Sequence, residues 1–507
     1  MIETDQDKPI FRPAGYAALI ARYNLEAISN WHTSVVTTRG AHRIDSLAGA
    51  TKEVYPPHYW PGDRLGDQLE FALKYDGTNL AVLARLFQES VEEELLEYIH
   101  ARPTGKYARR LWFFYEFLTG KLLPLDDLAQ GNYVELLESD EYYTVSPARR
   151  IRRQRVYDNL LGDSRFCPTV RRTPFLEEVN SSDLPSRCRQ VISEYVPAFV
   201  ERAVRFLYTK ETRSSFAIER INPSAARSER FVSVLEQAGQ EEFLNKRKLI
   251  ELQNEIVDHR FREFDYRSSQ NYVGEAIGLH RQRVHFASPK PGDLADLLDG
   301  LEAAHLRMGR GNVPAVVHAA TVAYGFVYLH PFEDGNGRIH RFLIHNVLAR
   351  REFTPPGIIV PVSAAMLENS AGYDASLEAF SRRLMPLVDY TLDREGRMTV
   401  RNDTATWYRY IDMTPQTEAL FRFIERAIDV ELAEELAFLK NYDAVKSVIK
   451  EIIDLPDRKI DLFIRFCIQN NGRLSVRKRA SHFDLLTNEE IAAMEQAMGS
   501  VFGDGSS

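Results

Sequence analysis

Twelve consecutive residues, His330-Pro331-Phe332-Glu333-Asp334-Gly335-Asn336-Gly337-Arg338-Ile339-His340-Arg341, gather an imidazole, carboxylates, two glycines and two guanidiniums in one short stretch. Gly335 and Gly337, on either side of Asn336, let the backbone approach a ligand closely and turn its N–H groups inward. The helical segment that follows, RIHRFLIHNVLARR, points its N-terminal end at the same spot, so the stretch reads as an anion cradle. Arg338 and Arg341 lie three residues apart on one face of the first helical turn, where two guanidinium forks can grip the oxygens of a polyphosphate. Asp334 adds a hard carboxylate suited to a magnesium ion whose other ligands are phosphate oxygens and water. His330 is the side chain nearby whose ordinary pKa lies near neutrality, which makes it the natural general base for a target hydroxyl. Phosphoryl or nucleotidyl transfer needs little more, because positioning and charge neutralisation supply most of its rate enhancement.

Other chemistries fit these residues less well. The Asp-Gly-Asn-Gly run suggests a calcium loop, but its glycine register is wrong and the twelfth position counted from Asp334 is His345 instead of Glu. A P-loop is excluded by the missing Gly-Lys-Ser/Thr ending. A metal centre built from His330, His340 and His345 stays open at this level. A plain glycine-rich helix connection has no use for Asp334, Arg338 and Arg341 together.

The elements that must hold this stretch are mostly helical. LEFALKYDGTNLAVLARLFQ, ARRLWFFYEFLTG, DLADLLDGLEAAHLRM, VPAVVHAATVAYGFVYL and EALFRFIERAIDVELAEELAFL all place apolar residues at three- and four-residue intervals. The clearest strand signal is a pair of short segments around Asn271–Val273 and Val284–Phe286, with Gly274 and Gly278 between them, which predicts a hairpin with a long tip. The expected fold class is mainly α with one small β element. Turn-rich NSSDLP at 180–185 and REGRMTVRND at 394–403 divide the chain into an N-terminal helical accessory region (1–185), a middle region (186–395) and a C-terminal helical or winged-helix-like region (396–507).

With 507 residues, 44% apolar and 27% charged, the chain has material for a large core and reads as globular. A net charge of -8 provides no global attraction to nucleic acid or anionic membranes, so such contacts would need a local patch. No apolar run spans a bilayer and the acidic start MIETDQDKPI is not a signal peptide, so no membrane association and a cytoplasmic location are expected. Cys167, Cys188 and Cys467 are far apart and form no C-x-x-C pair, which predicts buried free thiols in place of a disulfide framework.

The twelve-residue stretch resembles the signature of Fic-domain proteins, His-Pro-Phe-x-Asp/Glu-Gly-Asn-Gly-Arg-x-x-Arg, at every specified position. The resemblance spans roughly Glu201 to Tyr390 and implies a helical Fic-type core that transfers AMP from ATP to a Ser, Thr or Tyr hydroxyl. It implies His330 as base, Asp334 on Mg2+, Asn336 with the Gly335 and Gly337 backbone at the α-phosphate, Arg338 and Arg341 on the outer phosphates, and Phe332 packed inward. The hairpin over 271–289 stands where the family has a flap whose edge pairs with the target polypeptide. Arg213-Ser214-Ser215-Phe216-Ala217-Ile218-Glu219-Arg220 resembles the family's inhibitory motif, Ser/Thr-x-x-x-Glu-Gly/Asn, with Ser215 and Glu219 in the key places on a helix near 205–220. A glutamate paired with Arg341 would take the γ-phosphate's electrostatic partner and its space. Arg220 departs from the pattern, which has Gly or Asn there. By the same analogy Tyr373 lines the adenine pocket.

The flanks carry two basic features. Arg149-Arg150-Ile151-Arg152-Arg153-Gln154-Arg155 reads as a solvated face or as a contact for an acidic partner. Arg473, Arg477, Lys478 and Arg479 sit in a helix–turn–helix rhythm compatible with nucleic acid or with an oligomerisation unit. Self-modification and homo-oligomerisation are compatible with this reading. The rivals are a phosphotransferase or an AMP-removing enzyme on the same fold, and a DNA-binding regulator that senses nucleotide.

Overall fold

The computed structural model describes residues 11–47, 50–278 and 281–503. Helices dominate it, as the periodicity predicts. The N-terminal region is less purely helical than expected. It opens with a four-stranded sheet in the order β1-β2-β4-β3, built from β1 (Phe11–Ala14), β2 (His32–Thr37), β3 (Arg43–Leu47) and β4 (Ala50–Tyr55), with a helix at Tyr16–Tyr23 between β1 and β2; helices at Leu65–Phe71, Leu80–Leu86 and Glu92–Ala101 then lead to α1 (Lys106–Thr119). These strands are only four to six residues long and mix polar with apolar side chains, so their period-two signal is faint. A smaller sheet, β5 (Val134–Glu135), β6 (Arg149–Ile151) and β7 (Val156–Asp158), follows.

The middle of the chain runs α2 (Pro197–Ile218), α3 (Ala225–Leu235), α4 (Lys246–Ile256), the hairpin β8 (Tyr272–Gly278) and β9 (Arg281–Ala287), then α5 (Leu294–Arg310), α6 (Ala315–Leu329) and α7 (Asn336–Arg350). α8 (Val362–Glu368), α9 (Ser370–Leu384), the short pair β10 (Tyr390–Leu392) and β11 (Met398–Val400), and α10 (Thr414–Arg426) complete the packed core. Every residue of α6 from Val316 to Leu329 is buried. A helix that is apolar all round can satisfy that only in the middle of a bundle, and α6 packs against α5, α7 and α10. The apolar cluster around it joins Tyr143 to Leu439.

After α10 the chain continues through α11 (Ala433–Ile452), α12 (Asp457–Ile468), α13 (Val476–His482) and α14 (Asn488–Phe502), whose apolar faces close a separate small core around Phe463, Ile464 and Met494. Among the described residues no strand follows Val400, so this C-terminal unit is helical and has no β-wing. In the basic run at 149–155, Arg149, Arg150 and Arg152 are exposed, while several of its arginines take local partners. Arg153 binds Glu116 (3.0 Å) and Asp127 (3.0 Å), Arg149 binds Asp158 (3.1 Å), and Arg150 lies 4.4 Å from the Tyr133 ring centroid. All three cysteines are buried free thiols. Among the described residues no helix is long and apolar enough to cross a membrane.

Candidate active site

The twelve-residue stretch is the connection between α6 and α7. Helix α6 must stop at His330 because Pro331 lacks an amide hydrogen and disfavours helical backbone in the residue before it. His330 takes up a left-handed conformation (φ 50°, ψ 58°), and its amide donates back to the Phe326 carbonyl at 3.0 Å. Phe332 is fully buried and anchors the loop from below. Gly335, at φ 94°, sets the entry into α7. The Asn336 side chain is spent inside the loop: its Oδ1 accepts from the Phe332 amide (3.1 Å) and its Nδ2 donates to the Phe332 carbonyl (2.6 Å). In this conformation Asn336 closes the bend, and the backbone groups around it are left to face a ligand.

His330 lines a cleft of about 310 Å³ walled by Val273, His285 and Phe286 of the hairpin and by Asp374, Leu377 and Glu378 of α9. Its Nδ1 lies 3.2 Å from the Val327 carbonyl. A carbonyl can only accept, so Nδ1 carries the proton and the neutral ring keeps its lone pair on Nε2. Burial, with the positive charge of Arg267 adding to it, pushes the His330 pKa down from 6.5 to about 4 against the opposing pull of the Val327 carbonyl. The ring is therefore neutral at physiological pH, the state a base requires.

The two arginines of the loop are buried and both meet Glu219 at the end of α2. Arg338 donates from Nε to Glu219 Oε2 (2.9 Å), from Nη1 to the Ile256 carbonyl (3.1 Å) and from Nη2 to Asp334 Oδ1 (2.6 Å). Arg341 donates to Glu219 Oε1 (2.7 Å), to Ser215 Oγ (2.7 Å) and to the Ser215 carbonyl (2.8 Å). The Ser215 carbonyl is available because α2 is ending: the Glu219 amide bonds Phe216 instead of reaching back four residues. The Glu219 carboxylate lies so close over Gly337 that a β-carbon there would stand 2.7 Å from Oε1. One carboxylate thus fills the space above the α7 N-terminus and pairs with both guanidiniums.

The turn after Glu219 explains how Arg220 fits. Arg220 adopts φ 56°, the left-handed region that Gly or Asn enters most readily, and its amide bonds the Ala217 carbonyl at 2.9 Å while Ile221 bonds Phe216 at 3.0 Å. The turn forms with an arginine in it, at a cost of roughly 1 kcal/mol in backbone strain. Two turns earlier on the same face of α2, Glu211 is buried against His345 Nε2 (2.8 Å), the Ser363 amide (2.9 Å) and the Ser363 hydroxyl. That carboxylate caps the first turn of α8 and ties it to α2 and α7.

Several residues that hold the loop carry no periodicity signal. Arg267, in the irregular segment before the hairpin, is 4% exposed and donates to the carbonyls of His330 (2.8 Å), Ser269 (2.7 Å) and Pro289 (2.6 Å), while its amide bonds the Pro331 carbonyl (2.9 Å). It clamps the base's own backbone to both feet of the hairpin. Glu263 accepts from the Glu333 amide (2.8 Å), and Asn271 donates to the Phe332 carbonyl (3.2 Å). The one available signal was the length of polar sequence between α4 and β8, too long for a bare connection.

Tyr373 is 5% exposed, with its hydroxyl 3.2 Å from His340 Nδ1 and its side chain against Arg341, while the face of α9 that meets the cleft carries Asp374, Leu377 and Glu378. The three-histidine metal centre does not form. His340 is enclosed beside Tyr324 and Tyr373, His345 is bound to Glu211, and among the described residues no group of three or more His, Cys, Asp or Glu is placed to hold a metal. Asp334 offers one carboxylate at the open side of the loop, a donor set that suits a cation taking its other ligands from phosphate and water.

With this geometry in place, residues 243–348 match the Fic/DOC family profile. The matched segment runs from the residues just before α4 through the loop into α7. Proteins named protein adenylyltransferase Fic from Drosophila mojavensis and Drosophila melanogaster are 31% and 32% identical to it over 121 and 115 residues. Those matches cover 24% and 22% of this chain and 22% and 21% of the relatives, so the chain spans about a fifth of the length of the proteins it resembles. A Fic family protein from Desulfovibrio desulfuricans G20 overlays at 16% identity with a TM-score of 0.34, covering 65% of this chain and 85% of the other. That overlay is too distant to bear on the site. The hairpin beside the Fic loop stands alone as a two-stranded sheet, so β8 and β9 each keep one unpaired edge.

Proposed function

We propose that this Fic domain transfers AMP from ATP to a hydroxyl of a polypeptide and that Glu219 holds it inactive at rest. The observation that carries the reading is a neutral imidazole, with Nε2 free, beside a glycine-lined bend whose two arginines are both held by one carboxylate. In the active form Glu219 withdraws, the triphosphate takes its place on Arg338 and Arg341, and backbone amides at the start of α7 receive phosphate oxygens. Asp334 is the residue that would hold magnesium, which supplies neutralisation of phosphate charge when bound. His330 Nε2 takes the proton of the acceptor hydroxyl as that oxygen bonds to the α-phosphorus and pyrophosphate leaves. The target lies along the free edge of the hairpin, where backbone pairing presents its hydroxyl to the cleft; self-modification uses the same geometry.

The test is intact-protein mass spectrometry after incubation with ATP and magnesium. Glu219→Gly is expected to gain the mass of AMP, and Glu219→Gly with His330→Ala to gain none. Absence of added mass on the single variant and on supplied polypeptides would count against the proposal. Label carried from the γ-phosphate instead of the α-phosphate would assign phosphotransfer to the same loop.

A further inference from the structure

Two guanidiniums rest on the ring of Phe216, the residue that follows Ser215 in α2. Arg338 lies 5.4 Å from the ring centroid and Arg227, from the first turn of α3, lies 5.2 Å from it. Their partners differ sharply. Arg338 is saturated by Glu219, Asp334 and the Ile256 carbonyl. Arg227 has no ion pair and no side-chain hydrogen bond among the described residues, and its Nε is enclosed without an acceptor. The backbone beneath it is fixed, since the Arg227 amide is capped by Ser224. A buried donor without an acceptor costs about 1–3 kcal/mol, a penalty that an arriving anion would remove.

The local charge count points the same way. Three guanidiniums, those of Arg227, Arg338 and Arg341, stand near two carboxylates, Glu219 and Asp334. Asp258 also lies in the field of Arg227 but is bonded to Arg260 at 2.9 Å. Burial and the neighbouring charge of Arg338 depress the Arg227 pKa below its usual range, as expected for a cation short of counter-charge. When Glu219 leaves, three cations face Asp334 alone. Two guanidiniums satisfy two phosphates; a third, half-buried against the same Phe216 ring with its Nε unpaired, calls for a longer polyphosphate.

We propose that Arg227 is a third arginine of the nucleotide site, donating to outer phosphate oxygens of a nucleoside triphosphate once Glu219 withdraws. The residue makes the site selective for a triphosphate over a monophosphate. This rests on the nucleotide-transfer reading above, and the experiment separates the two. Calorimetric affinities for ATP and for AMP, each with magnesium, are measured on the full chain as Glu219→Gly, as Glu219→Gly with Arg227→Met, and as Glu219→Gly with Arg227→Lys. Methionine keeps the apolar contact with Phe216 and removes the charge, whereas lysine keeps the charge. The expected result is a loss of ATP affinity of roughly 10- to 100-fold with methionine, partial recovery with lysine, and unchanged AMP affinity. An unchanged ATP affinity with methionine overturns the proposal, and so does an equal loss for ATP and AMP, which would mark Arg227 as packing only. Should Glu219→Gly alone bind no ATP, the nucleotide reading itself fails and this inference falls with it.

Discussion

Two positions on one face of α2 use the same side chain for opposite purposes. Glu211 and Glu219 are both glutamates that reach cationic or hydrogen-bonding groups on α7, yet Glu211 is 1% exposed and Glu219's side chain 22%. Glu211 is enclosed by His345 and by the amide and hydroxyl of Ser363, so its removal strands several buried polar groups at once. Glu219 sits at a helix terminus that opens to solvent, and both of its arginines keep other acceptors without it: Arg338 has Asp334 and the Ile256 carbonyl, and Arg341 has Ser215. The difference teaches that a carboxylate serves as an anchor or as a displaceable plug according to what its partners retain when it goes. It also localises the regulatory movement proposed here to the last turn of α2, because the helix as a whole is held in the core.

That contrast can be broken in several ways. Glu211→Ala is expected to destabilise the fold most, by about 3–5 kcal/mol in denaturant unfolding, the range for removing one partner of a buried pair. A loss under about 1 kcal/mol would mean that Glu211 is no anchor. Glu219→Gln keeps the shape and removes the charge; it is expected to cost at most about 1–3 kcal/mol of stability, the range for hydrogen bonds to charged groups, while raising ATP-dependent modification. Greater destabilisation than Glu211→Ala would reverse the comparison. Arg220→Gly relieves the left-handed backbone and is expected to stabilise the chain by roughly 1 kcal/mol and to lower resting activity by holding Glu219 in place. Unchanged unfolding would show that the turn stores no strain.

A separate test concerns pH and the histidines behind the loop. His330 is pushed down to about 4 and His340 to about 3, both chiefly by burial, from an ordinary value of 6.5. Below 6.5 the unfolded chain takes up protons at these residues that the folded chain does not. Their contribution is therefore complete above pH 6.5 and is lost as the pH falls toward 4. Stability followed from pH 7.5 to 4.5 should decline, and less steeply in His340→Gln. For the same reason the activity of Glu219→Gly should show no acid limb near 6.5, and an apparent pKa there in kcat/KM would place the base elsewhere.

Much of the chemistry was readable in the linear sequence, because the residues that build the loop are contiguous. His330, Asp334, Gly335, Gly337, Arg338 and Arg341 lie within one helix–loop–helix unit, and local rules for proline, glycine and helix termini set its shape. The helices and the hairpin were legible for the same reason, since their periodicity is local. Tertiary structure alone decided which distant groups meet the loop: Glu219 is 122 residues from Arg341, Arg267 clamps a carbonyl 63 residues away, and Arg227 stands bare beside Phe216. It also set Tyr373 against His340 and Arg341 and ran one apolar cluster from Tyr143 to Leu439. Spacing along the chain encodes which groups share a turn, whereas burial and partner choice depend on which surfaces the bundle brings into contact.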